Sequence, residues 1–185
     1  MIILEGPDGA GKSTLGRILE NELGLKVFHP GGAPDFVQFT EYCNRCNEML
    51  RENYVCDRVS QISEYVYGPI TNGRTMVSTR DVEDYLDFLR AELGVLVIYC
   101  KSSNIDKAKD KLQTKDHKPE EFLQLVKDNH AKIVAAYDHL FALPAAERLR
   151  DDNLLLEYDY TSVKSVHKIL RAVKEKCDFR GLYDQ

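Results

Sequence analysis

The sequence contains no apolar run approaching the roughly 20 residues that a membrane span needs, no excess of positive charge, no internal repeat and no low-complexity stretch. Each shortage excludes something. With no such run, and with an N-terminus that opens on a strand-like segment and carries no basic leader, the chain reads as a soluble, unsecreted protein with no membrane partner. The formal net charge of −5 offers no general attraction to nucleic acid or to acidic lipid. Five cysteines is an odd number, and they fall inside periodic segments, so no disulfide framework is expected and a reducing cytoplasm fits. Cys43 and Cys46 form a C-x-x-C without a second such pair or paired histidines, so packing on the apolar side of a helix is their expected use. A chain of 185 residues suits a single domain spanning 1–185.

What the sequence does have begins at Gly6. The stretch Gly6 to Thr14 reads G-P-D-G-A-G-K-S-T and matches G-x-x-x-x-G-K-[S/T], the phosphate loop. Its context has the required order. Met1 to Glu5 is a short apolar strand, and Leu15, Ile18, Leu19 and Leu23 share one face of a helix that stops at Gly24. Glycines let backbone N–H groups close around phosphate oxygens at the positive end of that helix. Gly9, Ala10, Gly11, Lys12, Ser13 and Thr14 are therefore the expected nucleotide-binding residues, Lys12 reaching the terminal phosphates and Ser13 offering its hydroxyl to Mg²⁺.

Strands and helices alternate along the rest of the chain. Leu25 to His29 is a second strand, followed by a Pro30-Gly31-Gly32-Ala33-Pro34 loop and a helix opened by Asp35. Tyr54 to Cys56 is a third strand ending in Asp57-Arg58. A carboxylate at the carboxyl end of a buried strand beside a phosphate loop is where a second magnesium-organising acid belongs. A short helix over Ile62 to Tyr67 is expected next, then a loop over Gly68 to Val77. A helix starts at Ser78 and ends at Gly94, and Val95 to Cys100 reads as a central parallel strand. Asn104 caps a brief helix. One long helix from Pro119 turns Phe122, Val126, Ile133, Val134, Tyr137 and Phe141 inward. Pro144 to Asn153 reads as a charged connector, Leu154 to Tyr158 as the fifth strand, and Thr161 opens a last helix with Val163, Val166, Ile169, Leu170 and Val173 inward. The fold expected is α/β, a three-layer P-loop fold with a central parallel five-stranded sheet flanked by helices.

A GTPase would need [N/T]-K-x-D after a late strand; Thr114-Lys115-Asp116-His117 has the acid one place early. A motor or regulatory ATPase would need a further strand ending in a catalytic acid, whereas the fourth strand ends at Lys101. Kinases of small nucleoside compounds remain. Here several pieces together resemble the thymidylate kinases: the acidic Asp8 within the phosphate loop, Pro30-Gly31-Gly32 after the second strand, Asn44-Arg45 on the next helix, and Asp57-Arg58 followed by Ser60, Ser63, Tyr65, Tyr67 and Gly68. The resemblance spans about residues 1 to 69.

That resemblance implies ATP- and Mg²⁺-dependent conversion of dTMP to dTDP, with nucleotides as partners and a homodimer as the assembly. It implies catalytic roles for Lys12, Asp57 and Arg58, magnesium at Ser13 and Asp57, and Arg58 between donor and acceptor phosphates. Asp8 would take a hydrogen bond from the sugar 3'-hydroxyl, Arg45 would bond a base oxygen, and Tyr42, Tyr65 or Tyr67 would stack on the ring. In the family an arginine comes from the phosphate loop or from a mobile lid. Here Gly9-Ala10 occupy the loop position, and the candidate lid, 113–120, has none, so Lys111, Lys115, His117, Lys118, Arg74 and Arg80 are the available cations. Two alternatives stay open: a deoxynucleoside kinase with His29 where the general base would stand, and an ATP-binding regulatory protein without turnover.

Overall fold

A computed structural model describes residues 1–29, 54–93, 95–101, 106, 108 and 120–178. Tyr42, Arg45, the Pro30-Gly31-Gly32 turn, the C-x-x-C, the lysines at 111, 115 and 118, and all of the candidate lid but Glu120 lie outside the described residues. The strands are β1 (Ile2–Glu5), β2 (Lys26–Phe28), β3 (Tyr54–Asp57), β4 (Leu96–Lys101) and β5 (Leu155–Asp159). The helices are α1 (Lys12–Leu23), α2 (Ser60–Thr71), α3 (Thr79–Phe88), α4 (Glu120–Asp128), α5 (His130–Leu140), α6 (Pro144–Asp151) and α7 (Val163–Asp178).

All five strands run parallel in the order β2-β3-β1-β4-β5, as the alternating pattern requires. Side chains alternate across each strand. Ile3, Cys56, Val97, Tyr99 and Leu155 enter one core with α2, α3, α5 and α6, while Ile2, Leu4, Val55, Leu96, Ile98 and Tyr158 enter the other with α1 and α7. The result is the three-layer α/β arrangement expected. Because β1 lies between β3 and β4, the carboxyl ends of those strands converge on the phosphate loop. In such sheets the ligand crevice opens there. Among the described residues no helix is long and apolar enough to cross a membrane.

Several local readings change. The helix expected over Ile62 to Tyr67 runs from Ser60 to Thr71, through Gly68 and Pro69. Pro69 sits in its last turn, where the Thr71 hydroxyl donates to the Tyr67 carbonyl (3.0 Å) and the Asn72 N–H to the Gly68 carbonyl (2.9 Å). The buried Glu64 carboxylate then accepts from the Met76 N–H (3.0 Å) and draws the following loop back over the helix. At α3 the expected start is present as a capping box, with Ser78 and Asp81 each bonding the other's backbone N–H. The helix passes into a π-helical turn, Leu89–Leu93, before β4.

The long helix from Pro119 is divided at Asn129, whose side-chain amide donates to the Leu125 carbonyl (2.9 Å). Ile133 and Tyr137 are buried as expected, and His130 is buried beside them. The segment read as a charged connector is a helix, α6. Pro144 occupies its first turn, where a missing N–H is harmless. Ala145, Ala146 and Leu149 are buried, and Arg148 forms a two-pronged pair with Asp87 of α3 (3.0 and 2.6 Å). Small alanines gave the apolar stripe too little weight against Glu147, Arg148 and Arg150. Val163, expected inward on the last helix, is 72% exposed, because α7 begins there and its packed face starts a turn later.

Leu149→Ala tests α6. In a packed helix it should lower the unfolding free energy in urea by about 2–5 kcal/mol. A surface connector would lose less than about 0.5 kcal/mol.

Candidate active site

The phosphate loop leaves β1 at Gly6 and enters α1 at Lys12. Gly6 has φ 143, and a Cβ there would come within 2.0 Å of the Cys100 carbonyl oxygen of β4. Gly9 has φ 80, and its Cβ would meet the Ala108 carbonyl oxygen at 2.1 Å. Both positions therefore need glycine for conformation and for space. Ala10 is fully buried and anchors the loop from below, and Gly11 is the left-handed N-cap of α1. No acidic residue stands in the first turn of α1, so the positive helix end is not neutralised by its own side chains. Thr14 is exposed on that turn.

Lys12 is buried, and its ammonium donates to the carbonyls of Gly6 (2.7 Å) and Pro7 (2.8 Å). Burial, and then the Arg58 charge, bring its pKa down to about 8, against the opposing pull of Asp8 and Asp57. The Ser13 hydroxyl stands 3.5 Å from Asp57 Oδ2. Hydroxyl and carboxylate oxygens are the donors a hard cation such as Mg²⁺ takes, so these two residues fit the ion assigned to them. Asp57 Oδ2 also lies 3.1 Å from His29 Nδ1, at the carboxyl end of β2, with the imidazole largely exposed.

Pairing of β1 with β3 places Arg58 beside the loop. Its guanidinium Nη2 donates to Asp8 Oδ1 (3.0 Å), to the Tyr67 hydroxyl (2.8 Å) and to the Gly6 carbonyl (3.3 Å). The Tyr67 hydroxyl in turn donates to Asp8 Oδ2 (3.1 Å), and the guanidinium lies 4.8 Å from the Tyr67 ring centre. Lys12, Ser13, Asp57, Arg58, Asp8 and Tyr67 thus meet at one sheet edge. Tyr65 does not join them; its hydroxyl faces Thr79 Oγ1 at 3.4 Å, at the start of α3.

Arg58 has φ 77, a left-handed conformation that costs a non-glycine residue on the order of 1 kcal/mol or more. The Leu4 carbonyl accepts its N–H (2.9 Å), and the thiol of Cys56 donates to its carbonyl (3.0 Å). The next N–H, that of Val59, goes to Glu5 Oε1 (2.6 Å). Glu5 is fully buried, and its other oxygen accepts from the Tyr137 hydroxyl (3.0 Å). Burial raises its pKa to about 7, with the Val59 N–H and the charges of Arg58 and Lys12 opposing the rise. His130, 2% exposed, brings Nε2 to 3.1 Å from the Asp8 carbonyl and so ties α5 to the loop.

Sequence reasoning gave no role to Glu5 or His130. Both left a signal. Glu5 is the one charged residue in M-I-I-L-E, and His130 continues the stripe of Val126, Ile133 and Tyr137 at helical spacing.

No family model and no curated protein matches this chain. Solved structures do. The YorR protein of Bacillus subtilis, in complex with phosphorylated GDP, has TM-score 0.65 and 20% identity over 95% of this chain and 96% of its own. The deoxyadenosine kinase of M. mycoides with bound dATP has TM-score 0.59 and 16% identity, over 94% and 98%. With bound dCTP the same kinase gives 0.54 and 20%, over 95% and 100%. At this identity the likeness establishes a shared fold.

Glu5 also gives a pH dependence whose sign is fixed. A carboxyl whose folded pKa (about 7) exceeds its ordinary 4.5 contributes stability that is complete below pH 4.5 and lost as pH rises through 7. Lys12, with a folded pKa of about 8, begins to titrate at the top of this range, but it is present in both proteins and its contribution largely cancels in the comparison. Relative to Glu5→Gln, which cannot titrate, the unmodified protein should lose on the order of 2 kcal/mol between pH 5 and pH 8. That is a fall in Tm of roughly 4–8 °C. Parallel melting curves of the two proteins would reject the assignment.

Proposed function

We propose that this protein is a kinase that uses ATP and Mg²⁺ to phosphorylate a deoxynucleoside monophosphate, dTMP being the best candidate. The observation that carries the reading is the placement of Arg58. It touches the phosphate loop's first carbonyl at Gly6 and the loop's own acid, Asp8, with one nitrogen. A cation in that position stands where donor phosphates, held by loop amides and Lys12, would meet an acceptor bound on the Asp8 and Tyr67 side. Phosphoryl transfer needs little covalent help from the protein. It needs two anionic groups brought together and the charge that gathers between them offset, which is the work of a positioned guanidinium and ammonium.

Magnesium held by Ser13 and organised by Asp57 would supply the charge that draws the terminal phosphates into line. The remaining roles belong to the chain itself. Loop amides and the positive end of α1 bind phosphate, and Lys12, already facing inward, exchanges its two carbonyl partners for phosphate oxygens. Asp8, beside Arg58 and Tyr67, accepts from the sugar hydroxyl. Likeness in fold to a protein described as a deoxyadenosine kinase supports nucleotide chemistry of this general kind.

One observation favours a second reading, a deoxynucleoside kinase. His29 closes β2 with its imidazole against Asp57. An imidazole oriented by a carboxylate can take a proton from an uncharged 5'-hydroxyl, which a monophosphate acceptor does not require.

Incubating the protein with ATP, Mg²⁺ and a panel of nucleosides and monophosphates, with products read by mass, separates the two. The first reading expects dTDP from dTMP, and turnover of nucleosides alone would replace it with the second. If no acceptor gains a phosphate, both fail. Lys12→Ala should remain folded and lose about 10²–10³-fold in rate, and chelation of Mg²⁺ should stop turnover. Arg58→Ala should lower kcat by a similar factor with KM for ATP changed less than about threefold; equal effects on both would make the Arg58 cluster a structural ion pair.

A further inference from the structure

The turn at Arg58 is held from β1 at two successive points. The Leu4 carbonyl takes the N–H of Arg58 (2.9 Å), continuing the sheet, and the Glu5 side chain takes the N–H of Val59 (2.6 Å). Together they fix the peptide planes on both sides of the Arg58 Cα, where φ is 77. The Glu5 carboxyl cannot swing away to either cation, because Tyr137 of α5 holds its second oxygen (3.0 Å). The Tyr137 ring meets Tyr67 edge-on, with centres 6.3 Å apart at 74°, and Tyr67 takes the tip of the Arg58 guanidinium.

Between root and tip, no hydrogen bond from the described residues holds Arg58. Its buried Nε has no hydrogen-bond partner among the described residues. The direction of the guanidinium therefore follows from the backbone turn below it and from Tyr67 and Asp8 above. We propose that Glu5 is a positioning residue for Arg58: by capturing the Val59 N–H it fixes the turn that aims the guanidinium at the transferring phosphoryl group. The proposal rests on the phosphoryl-transfer reading. A buried carboxyl at the end of a strand, bonded to a backbone amide and to Tyr137 but to neither neighbouring cation, has no simpler use in the sheet, since Leu4 alone completes the β1–β3 ladder there.

A double-mutant cycle tests it, with rates expressed per folded molecule from denaturation curves. Glu5→Ala should lower kcat by about tenfold or more, because a small misdirection of a transition-state contact is costly, and leave KM for ATP within about twofold. In an Arg58→Ala background the same change should lower kcat no further. Glu5→Gln, which keeps an oxygen for Val59, should recover most of the loss. Losses that multiply in the double variant would overturn the proposal. If Glu5→Ala does not fold, Glu5→Asp, one methylene shorter, withdraws the oxygen from Val59 and serves in the same cycle.

A second readout needs no turnover. The Nε–H resonance of Arg58, assigned by its loss in Arg58→Ala, should shift in Glu5→Ala or Glu5→Asp, and an unmoved resonance overturns the proposal. Should the unmodified protein phosphorylate no acceptor, the phosphoryl-transfer reading fails and the resonance alone decides whether Glu5 directs Arg58.

Discussion

The parallel pairing of β1 with β3 is the constraint on which the rest of the site depends. It sets Leu4 beside Asp57 and brings the exits of both strands to one edge, so the phosphate loop and the Asp57-Arg58 turn are built against each other. Everything charged at the site is then placed by backbone first. Glu5 and Lys12 are buried and Arg58 is nearly so, with 19% of its side chain exposed. Burying ionisable groups one by one would be unfavourable by several kcal/mol each. The arrangement offsets this by giving each group at least two hydrogen-bond partners, most of them from a different element.

That interlocking also ties one of the two cores to the site. Tyr137 belongs to the aromatic group it forms with Tyr99, Phe141 and Tyr67, yet its hydroxyl ends on Glu5. Tyr67 packs in the same core and ends on Asp8. Two ring bodies supply apolar area while their oxygens serve the polar cluster, the division of labour for which tyrosine is suited. His130 adds a third tie, from α5 to the loop backbone. The site is therefore supported by helices that follow it in the chain by some 60 to 130 residues, as the separations of these bonds record.

The parts of this structure that were legible in the sequence are those whose causes are local. Gly6 to Thr14 carries its own geometry, the alternation of apolar runs gives the parallel sheet, and Ser78 with Asp81 writes a helix start in four residues. Lys12, Asp57 and Arg58 could be found because a motif and strand ends point to them. What could not be read depends on partners distant in the chain. Glu5 looks like the polar end of a strand until Val59 and Tyr137 are beside it. His130 looks like a core histidine until Asp8 is seen above it. Helix α6 was hidden because Ala145 and Ala146 bury little area and Arg148 pairs across to Asp87, and Pro69 argued for a loop where the Thr71 hydroxyl bond helps keep the turn helical.

Gly6 and Gly9 each face a main-chain carbonyl, of Cys100 and of Ala108. The partner atom in both cases is one that every amino acid possesses. Such a contact is asymmetric under sequence drift: positions 6 and 9 can hold only glycine, while the identity of residues 100 and 108 is left to their own packing. The loop's shape is thereby insulated from substitutions in the elements that enclose it. Positions 100 and 108 can thus change identity freely while the two glycines hold the loop against their backbone.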